Sequence, residues 1–300
     1  MKEILLKIND RIISLYMFII FLALWEIAPR LGWVNELFLP PLSQVVSVGV
    51  DLGLANVLIY IAISMKRVLV GFVIGTILAL PVGFILAGAM PRVADFLRPL
   101  TVFLSSIPPF ILYPIFVIIA GISEKGIYTV IFWSSFWPIL FASMAGIRNV
   151  DPLFIKAAKG MNCGKLAIFL KVVLPGASPV ILTGVRTGVT MSFFMLIGAE
   201  SMGADSGMGW VIHNAQSMGF VARIYLGAAL VAAVGLMLNY MLEFLENTIL
   251  YWKEKPQTAS TESAASAKKA ARLKAGAAAP KGVSAILEIS AKEGEGVSTR

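Results

Sequence analysis

VDPLFIKAAKGMNCGKLAIFLKVVLP, residues 150–175, interrupts two long apolar runs, and its reading decides how the chain is organised. It is too polar to cross a hydrocarbon layer and too regular for a plain loop. Asp151 can cap a helix and Pro152 suits its first turn. Phe154, Ala157, Ala158 and Met161 then recur at i, i+3, i+4 and i+7, on one face, while Lys156 and Lys159 lie off it. Gly160, Asn162 and Gly164 end this short helix. Leu166, Phe169, Leu170 and Val173 repeat the spacing in a second helix, predicted to stop at Leu174, Pro175 and Gly176. The result is a helical hairpin whose apolar face is too small for a core of its own. Such a face suits a groove on another protein; an amphipathic elbow lying on a membrane fits the spacing equally well.

The surroundings of this hairpin are lipid-like. Of the 300 residues 58% are hydrophobic and 14% charged, and the mean hydropathy is +0.84. A soluble domain carries about a quarter charged residues, so an aqueous enzyme with a charged shell is excluded and a polytopic membrane protein is indicated. About six runs of spanning length stand out, near 12–29, 68–90, 99–121, 127–147, 178–200 and 224–250. Residues 42–58 begin at Pro40 and Pro41 and include Asp51, which favours a surface or interfacial helix. The run 12–29 follows Lys2, Lys7 and Arg11 and lacks a small-x-small cleavage site, so it is expected to be a retained first span. The fold expected is all-α: a membrane bundle of about six spans carrying a hairpin on its cytoplasmic side.

Charge sets the expected orientation. With the N-terminus in the cytoplasm, twelve Lys and Arg residues flank the spans on the inside. Arg30, Lys66, Arg67, Lys125 and Arg223 fall outside. This puts 148–176 and the C-terminus inside and 201–223 outside. The formal net charge is +8, and the stretch after Trp252 holds nine Lys and Arg against five acids. That stretch is rich in Ala, Ser, Lys and Glu and is expected to be a disordered cytoplasmic tail, 253–300, with a basic helix resting on the inner leaflet or a partner as the alternative. The positivity reads as topology and lipid contact rather than nucleic-acid affinity. One cysteine, Cys163, and one histidine, His213, give no intrachain disulfide and no Cys/His metal site. His213 has no Ser/Asp company for a catalytic triad, and GMNCGKL lacks the spacing and the final Ser/Thr of a phosphate loop. No catalytic residue and no nucleotide site is expected in this chain.

Within the spans three patterns carry information. Gly71, Gly75, Ala79, Gly83 and Ala87 form an i+4 row, and Gly184, Gly188 and Ser192 form another, which predicts close helix packing in the bundle core. Pro108, Pro109 and Pro114 interrupt the third run beside Ser105, Ser106 and Tyr113; freed carbonyls there favour a pathway-lining segment, and a packing kink serves as well. Glu200, ahead of the Gly-rich SMGADSGMGW, is an acid at membrane depth and a candidate gate or pathway group. Arg186 lies about 12 Å into the fifth run, deep enough to assist an anion or to snorkel towards headgroups.

The residues KAAKGMN (156–162) followed by VVLP (172–175) resemble the EAA loop of ABC importer permeases. The resemblance extends over about 38–252 through SMKRVLVGFVIG, DFLRPLTVFLSSIPPFILYPIFVIIAGISE, FWPILFASMAGIRNVDP, VVLPGASPVILTGVRTGV and GAESMGADSGMGW. It is nearest the nitrate/sulfonate/taurine/bicarbonate branch. The family's leading Glu is Lys156 here, and its later Gly is Asn162. The resemblance implies a permease domain at 38–252, preceded by an N-terminal segment and first span at 1–37. Its hairpin, 150–175, would couple to an ATPase subunit through Asp151, Phe154, Lys156, Ala157, Ala158, Met161, Asn162 and Pro175. It further implies a permease homodimer in the bacterial inner membrane, an extracytoplasmic solute-binding protein, a small anionic solute, and ATP and Mg held by the partner ATPase. The rival is a stand-alone secondary transporter, which would show inverted repeats and broken helices in corresponding halves; none is visible.

Overall fold

The computed structural model describes residues 16–17, 19–121 and 123–249. Part of the first expected span and the whole tail expected at 253–300 lie outside these residues. All regular structure among them is helical.

Helix α1 runs through residues 19–30, and its end is tied to the start of α2 (Leu42–Leu52). Glu26 accepts from the Ser43 amide at 3.0 Å, acting as a remote cap, and Trp25 donates to the Pro40 carbonyl at 3.1 Å. Gly53, at φ 79°, turns the chain directly into α3 (Leu54–Phe84). A π-helical turn, Ile85–Ala89, extends α3 into a 36-residue run. Lys66 and Arg67, expected in an outer loop, therefore lie inside a helix. The charge-free run ended at them, but the helix did not, because Arg67 finds acidic partners inside the bundle.

Helix α4 (Pro91–Ser105) and α5 (Pro109–Ala120) take the place of the third span, bent by 87° at Pro108. Pro108 and Pro109 supply no amide to continue the ladder. Helix α6 (Glu124–Arg148) is followed by α7 (Pro152–Gly160), the single turn α8 (Lys165–Ile168), a second π turn at Phe169–Val173, and α9 (Leu174–Gly203). The helix expected to stop at Leu174–Gly176 instead runs unbroken from Lys165 to Gly203. Pro175 sits in the first turn of α9, directly after the π turn, where a proline is tolerated. Helices α10 (Met208–Ser217) and α11 (Val221–Ile249) complete the described chain. Four helices are long and apolar enough to span, or five if α4 and α5 count as one; six is not reached among the described residues.

Helix α6 is the axis, packed between α3 and α9. Small residues allow this. A Cβ on Gly71 would stand 2.6 Å from Ile131, one on Gly83 2.7 Å from Ser143, and one on Gly188 3.0 Å from Ile139. Gly75 lies over Ser135, Gly184 over Ala142, and Ala79 is fully buried in the same row. The buried hydroxyls of Ser134, Ser135 and Ser143 donate back to carbonyls of α6 itself, at 2.8, 3.0 and 2.7 Å, so they add no unmet polarity to the seam. Apolar clusters follow this axis, one around Ile131 and Leu196, one around Trp137 and Leu140, and one around Ile168 and Ala177 under the hairpin.

Candidate functional site

Two regions carry chemistry, at opposite ends of α9. The first is the hairpin. Asp151 accepts from the Leu153 amide at 2.8 Å and Pro152 opens α7. Ala158, 3% exposed, packs with Val150, Ile168 and Val173, and Phe84 meets Phe169 edge-on at 5.6 Å, so the hairpin is seated on the ends of α3 and α9. Phe154, Ala157 and Met161 face outward with Lys156 and Lys159 beside them, while Leu153 and Leu166 enlarge the exposed apolar surface. The single face read from the spacing thus splits, with Ala158 inward as an anchor and the larger side chains free. Asn162 turns the chain at φ 58°, a left-handed geometry in which Asn is among the few tolerated side chains. Cys163 and Pro175 are exposed.

The second region is a buried ion-pair network. Arg67 of α3, its side chain 4% exposed, donates through Nη1 to Glu200 at 2.8 Å and to the Ser206 carbonyl. Through Nε it reaches Glu124 at 3.0 Å, and Nη2 completes a forked pair with the same carboxylate. Glu124, at the start of α6, is half exposed; Glu200 is fully buried. Glu200 also accepts from Ser64 Oγ at 2.8 Å and the Gly209 amide at 2.9 Å, and Ser64 Oγ in turn accepts from the Met208 amide at 2.9 Å. The carboxylate and the Ser64 hydroxyl thereby each satisfy one orphan amide at the positive end of α10. Gly207 has φ 112°, and a side chain there would fall on the Glu200 carboxylate.

The other expected pathway residues do not join into one site. Ser105 and Ser106 both donate to the Val102 carbonyl, at 2.9 and 2.7 Å, just before the bend at Pro108. Tyr113 is buried, its hydroxyl against Gly203, near the network end. Arg186 lies about 21 Å along α9 from Glu200, bonded to Glu246 of α11 at 3.2 Å and to Asn239 at 2.9 Å. Ser64, Arg67, Glu124 and Ser206 were missed from the sequence. A signal was present: stepping back by four from Gly71 lands on Arg67, on the face of α3 that enters the bundle.

The profile of binding-protein-dependent transport system inner membrane components matches residues 71–250. The chain belongs to this family. Among its relatives the permease is 28% identical to the taurine transport system permease protein TauC of Escherichia coli (strain K12), over 79% of this chain and 88% of that protein. It is 30% identical to the putative aliphatic sulfonates transport permease protein SsuC of Bacillus subtilis (strain 168), over 78% and 85%. The nitrate import permease protein NrtB of Leptolyngbya laminosa is also 30% identical, over 65% and 70%. In fold the permease resembles a chain of the MetNI methionine ABC transporter in an inward-facing form, with TM-score 0.57 at 18% identity, covering 67% of this chain and 97% of that one. It is a multi-pass inner-membrane transport subunit of the ABC class, in which ATP hydrolysis belongs to a separate subunit.

Proposed function

We propose that two copies of this permease form the path of an ATP-driven importer for a small solute bearing an anionic group, of the kind named for its relatives: taurine, aliphatic sulfonates or nitrate. The hairpin docks in a groove of a cytoplasmic ATPase subunit that binds ATP and Mg, both chain termini lie in the cytoplasm, and an extracytoplasmic binding protein delivers cargo at the network end. Closure of the ATPase pair moves the docked hairpins and reorients the bundles. One observation carries this reading: Phe154, Ala157 and Met161 are held out from the protein on a helix whose Ala158 is buried beneath it. An apolar knob on a rigid seat is suited to transmit force to and from a partner.

The bent α4–α5 pair, with Ser105, Ser106, Pro108 and Tyr113, is assigned to the path or its gate, whereas Glu200, fully buried and bonded to Arg67, is assigned to the bracing of the bundle beside it. Arg186 is assigned to the path on charge alone, and an anion reaching it must compete with Glu246. Arg186→Gln therefore separates an anion contact, where transport falls and ATP hydrolysis persists, from a tie between α9 and α11, where both survive.

The deciding experiment is Ala157→Asp in the complex purified through a tag on this chain. The bundle should stay folded, because Ala157 is exposed, while the ATPase subunit is lost or its hydrolysis is no longer stimulated by the binding protein. Transport at the parental rate with the ATPase retained sinks the docking role. Orientation is checked with Cys163, which should react with an impermeant thiol reagent in inverted vesicles and stay unreactive in intact cells.

A further inference from the structure

We infer that Arg67 is a positioning residue of the transport cycle: it fixes α10 as an immobile cap on the end of the bundle remote from the hairpin, so that this end opens at α5. The inference deepens the permease reading and rests on it for the word transport, but not for the clamp itself.

The two rows of small residues lead to it. Along α3 the positions 71, 75, 79 and 83 face α6, and one step of four beyond Gly71 is Arg67. Along α9 the positions 184, 188 and 192 continue through Leu196 to Glu200 by the same step. The spacing that presses both helices onto α6 therefore delivers a guanidinium and a carboxylate to one point, 2.8 Å apart and almost without access to water. Separating them would leave two charges in a medium that solvates neither. The segment entering α10 is then held by its backbone at three places: the Ser206 carbonyl on Arg67, the Met208 amide on Ser64 and the Gly209 amide on Glu200. Below these bonds Met208, Val211 and Ala215 are buried. The cap has no hinge at its first turn.

Helix α5, which packs on α6 and α9, is held differently. Among the described side chains of α5 only Tyr113 is buried. Helix α5 follows an 87° bend, and it meets α9 by placing rings in glycine notches, Phe110 at Gly198 and the Tyr113 hydroxyl at Gly203. Such contacts have little directional preference and can part without stranding a charge. An end that must open in one state of an alternating cycle has here one bonded wall and one unbonded wall, and the unbonded wall moves.

The test places single reporter cysteines in a Cys163→Ser background, at Ala215 on the buried face of α10 and, separately, at Tyr113 on α5. Reaction with an impermeant maleimide is followed in proteoliposomes. Without ATP both should be protected. During ATP turnover with the ATPase and binding protein, position 113 should react at least tenfold faster and position 215 should stay protected. In Arg67→Gln/Glu200→Gln, which removes both charges so that neither is stranded, position 215 should react at least tenfold faster even without ATP, in protein that still runs as a single species on gel filtration. Ser64→Ala, which cuts the bridge to Met208, gives the same readout if the double variant does not fold. Exposure of position 215 in the cycling parent overturns the fixed cap, continued protection of 113 overturns the moving α5, and protection of 215 in these variants overturns the clamp. If the complex hydrolyses no ATP, the importer reading under test fails, and the ATP-free measurements still decide the clamp.

Discussion

The hairpin and the Arg67 network solve opposite problems. The hairpin draws on residues within one short stretch and keeps apolar groups in the open: Phe154 is 63% exposed and Met161 72%. The network draws on residues 133 and 136 positions apart and keeps the charges of Arg67 and Glu200 out of water. A region proposed to dock on a partner leaves its apolar groups off the core, whereas one that ties helices together turns its polar groups on each other. Damage to the first should therefore be read in partner binding and damage to the second in folding.

The largest effect that would break this contrast is at the network. Arg67→Ala leaves Glu200 buried and unpaired, at a cost of about 3–5 kcal/mol. It should sharply lower the yield of monodisperse protein in detergent, whereas Arg67→Met/Glu200→Met should recover most of it. A parental yield and melting midpoint for Arg67→Ala would mean that the network holds nothing. Next comes the seam beneath it. Gly75→Leu forces a side chain into the place of Ser135 and should cost about 1–3 kcal/mol. Leu78→Ala, on the exposed lipid-side face of the same helix, should cost less, and the two yields should differ clearly.

Two neighbouring residues sharpen the comparison inside the hairpin. Ala158→Asp buries a carboxylate against Ile168 and Val173 and should destabilise the hairpin by roughly 2 kcal/mol or more, whereas Ala157→Asp should change stability by no more than about 0.5 kcal/mol. Limited trypsin digestion at Lys159 and Lys165 distinguishes them. Equal cleavage rates would remove the distinction between anchor and knob. The smallest effect is at Asn162, where Val should cost about 1 kcal/mol and Gly should be neutral, because only the left-handed geometry is at stake. The same digestion, read over a temperature series, checks it.

What could be read in advance follows the range of the interactions. The hairpin was legible because capping by Asp151 and the spacing of Phe154, Ala157, Ala158 and Met161 are local. Its split into buried Ala158 and exposed neighbours was not, since that depends on where Ile168 and Val173 return to meet it. The row from Gly71 to Gly83 was visible as spacing, but its continuation to Arg67 was hidden by the expectation that a charge ends a span. A charge ends a span only when it must be solvated by water. Glu200 stood out as an acid at membrane depth, yet the other members of its network, Ser64, Arg67 and Glu124, come from helices far away in sequence. Likewise Pro175 looked like a stop and is a first-turn residue, because the π turn before it changes the bonding register.

Both π turns, Ile85–Ala89 and Phe169–Val173, line the same crevice of about 1020 Å³ between the hairpin and the bundle. Each holds one residue more than the α turn it replaces, and one residue is worth about 100° of helical rotation. The face on which α3 and α9 grip α6 is therefore out of phase with whatever lies beyond the turns. Above them every fourth residue answers to a neighbouring helix; below them the angular count starts again. The hairpin and α4 can thus be re-aimed by gaining or losing a single residue in a turn, without moving one glycine of the rows.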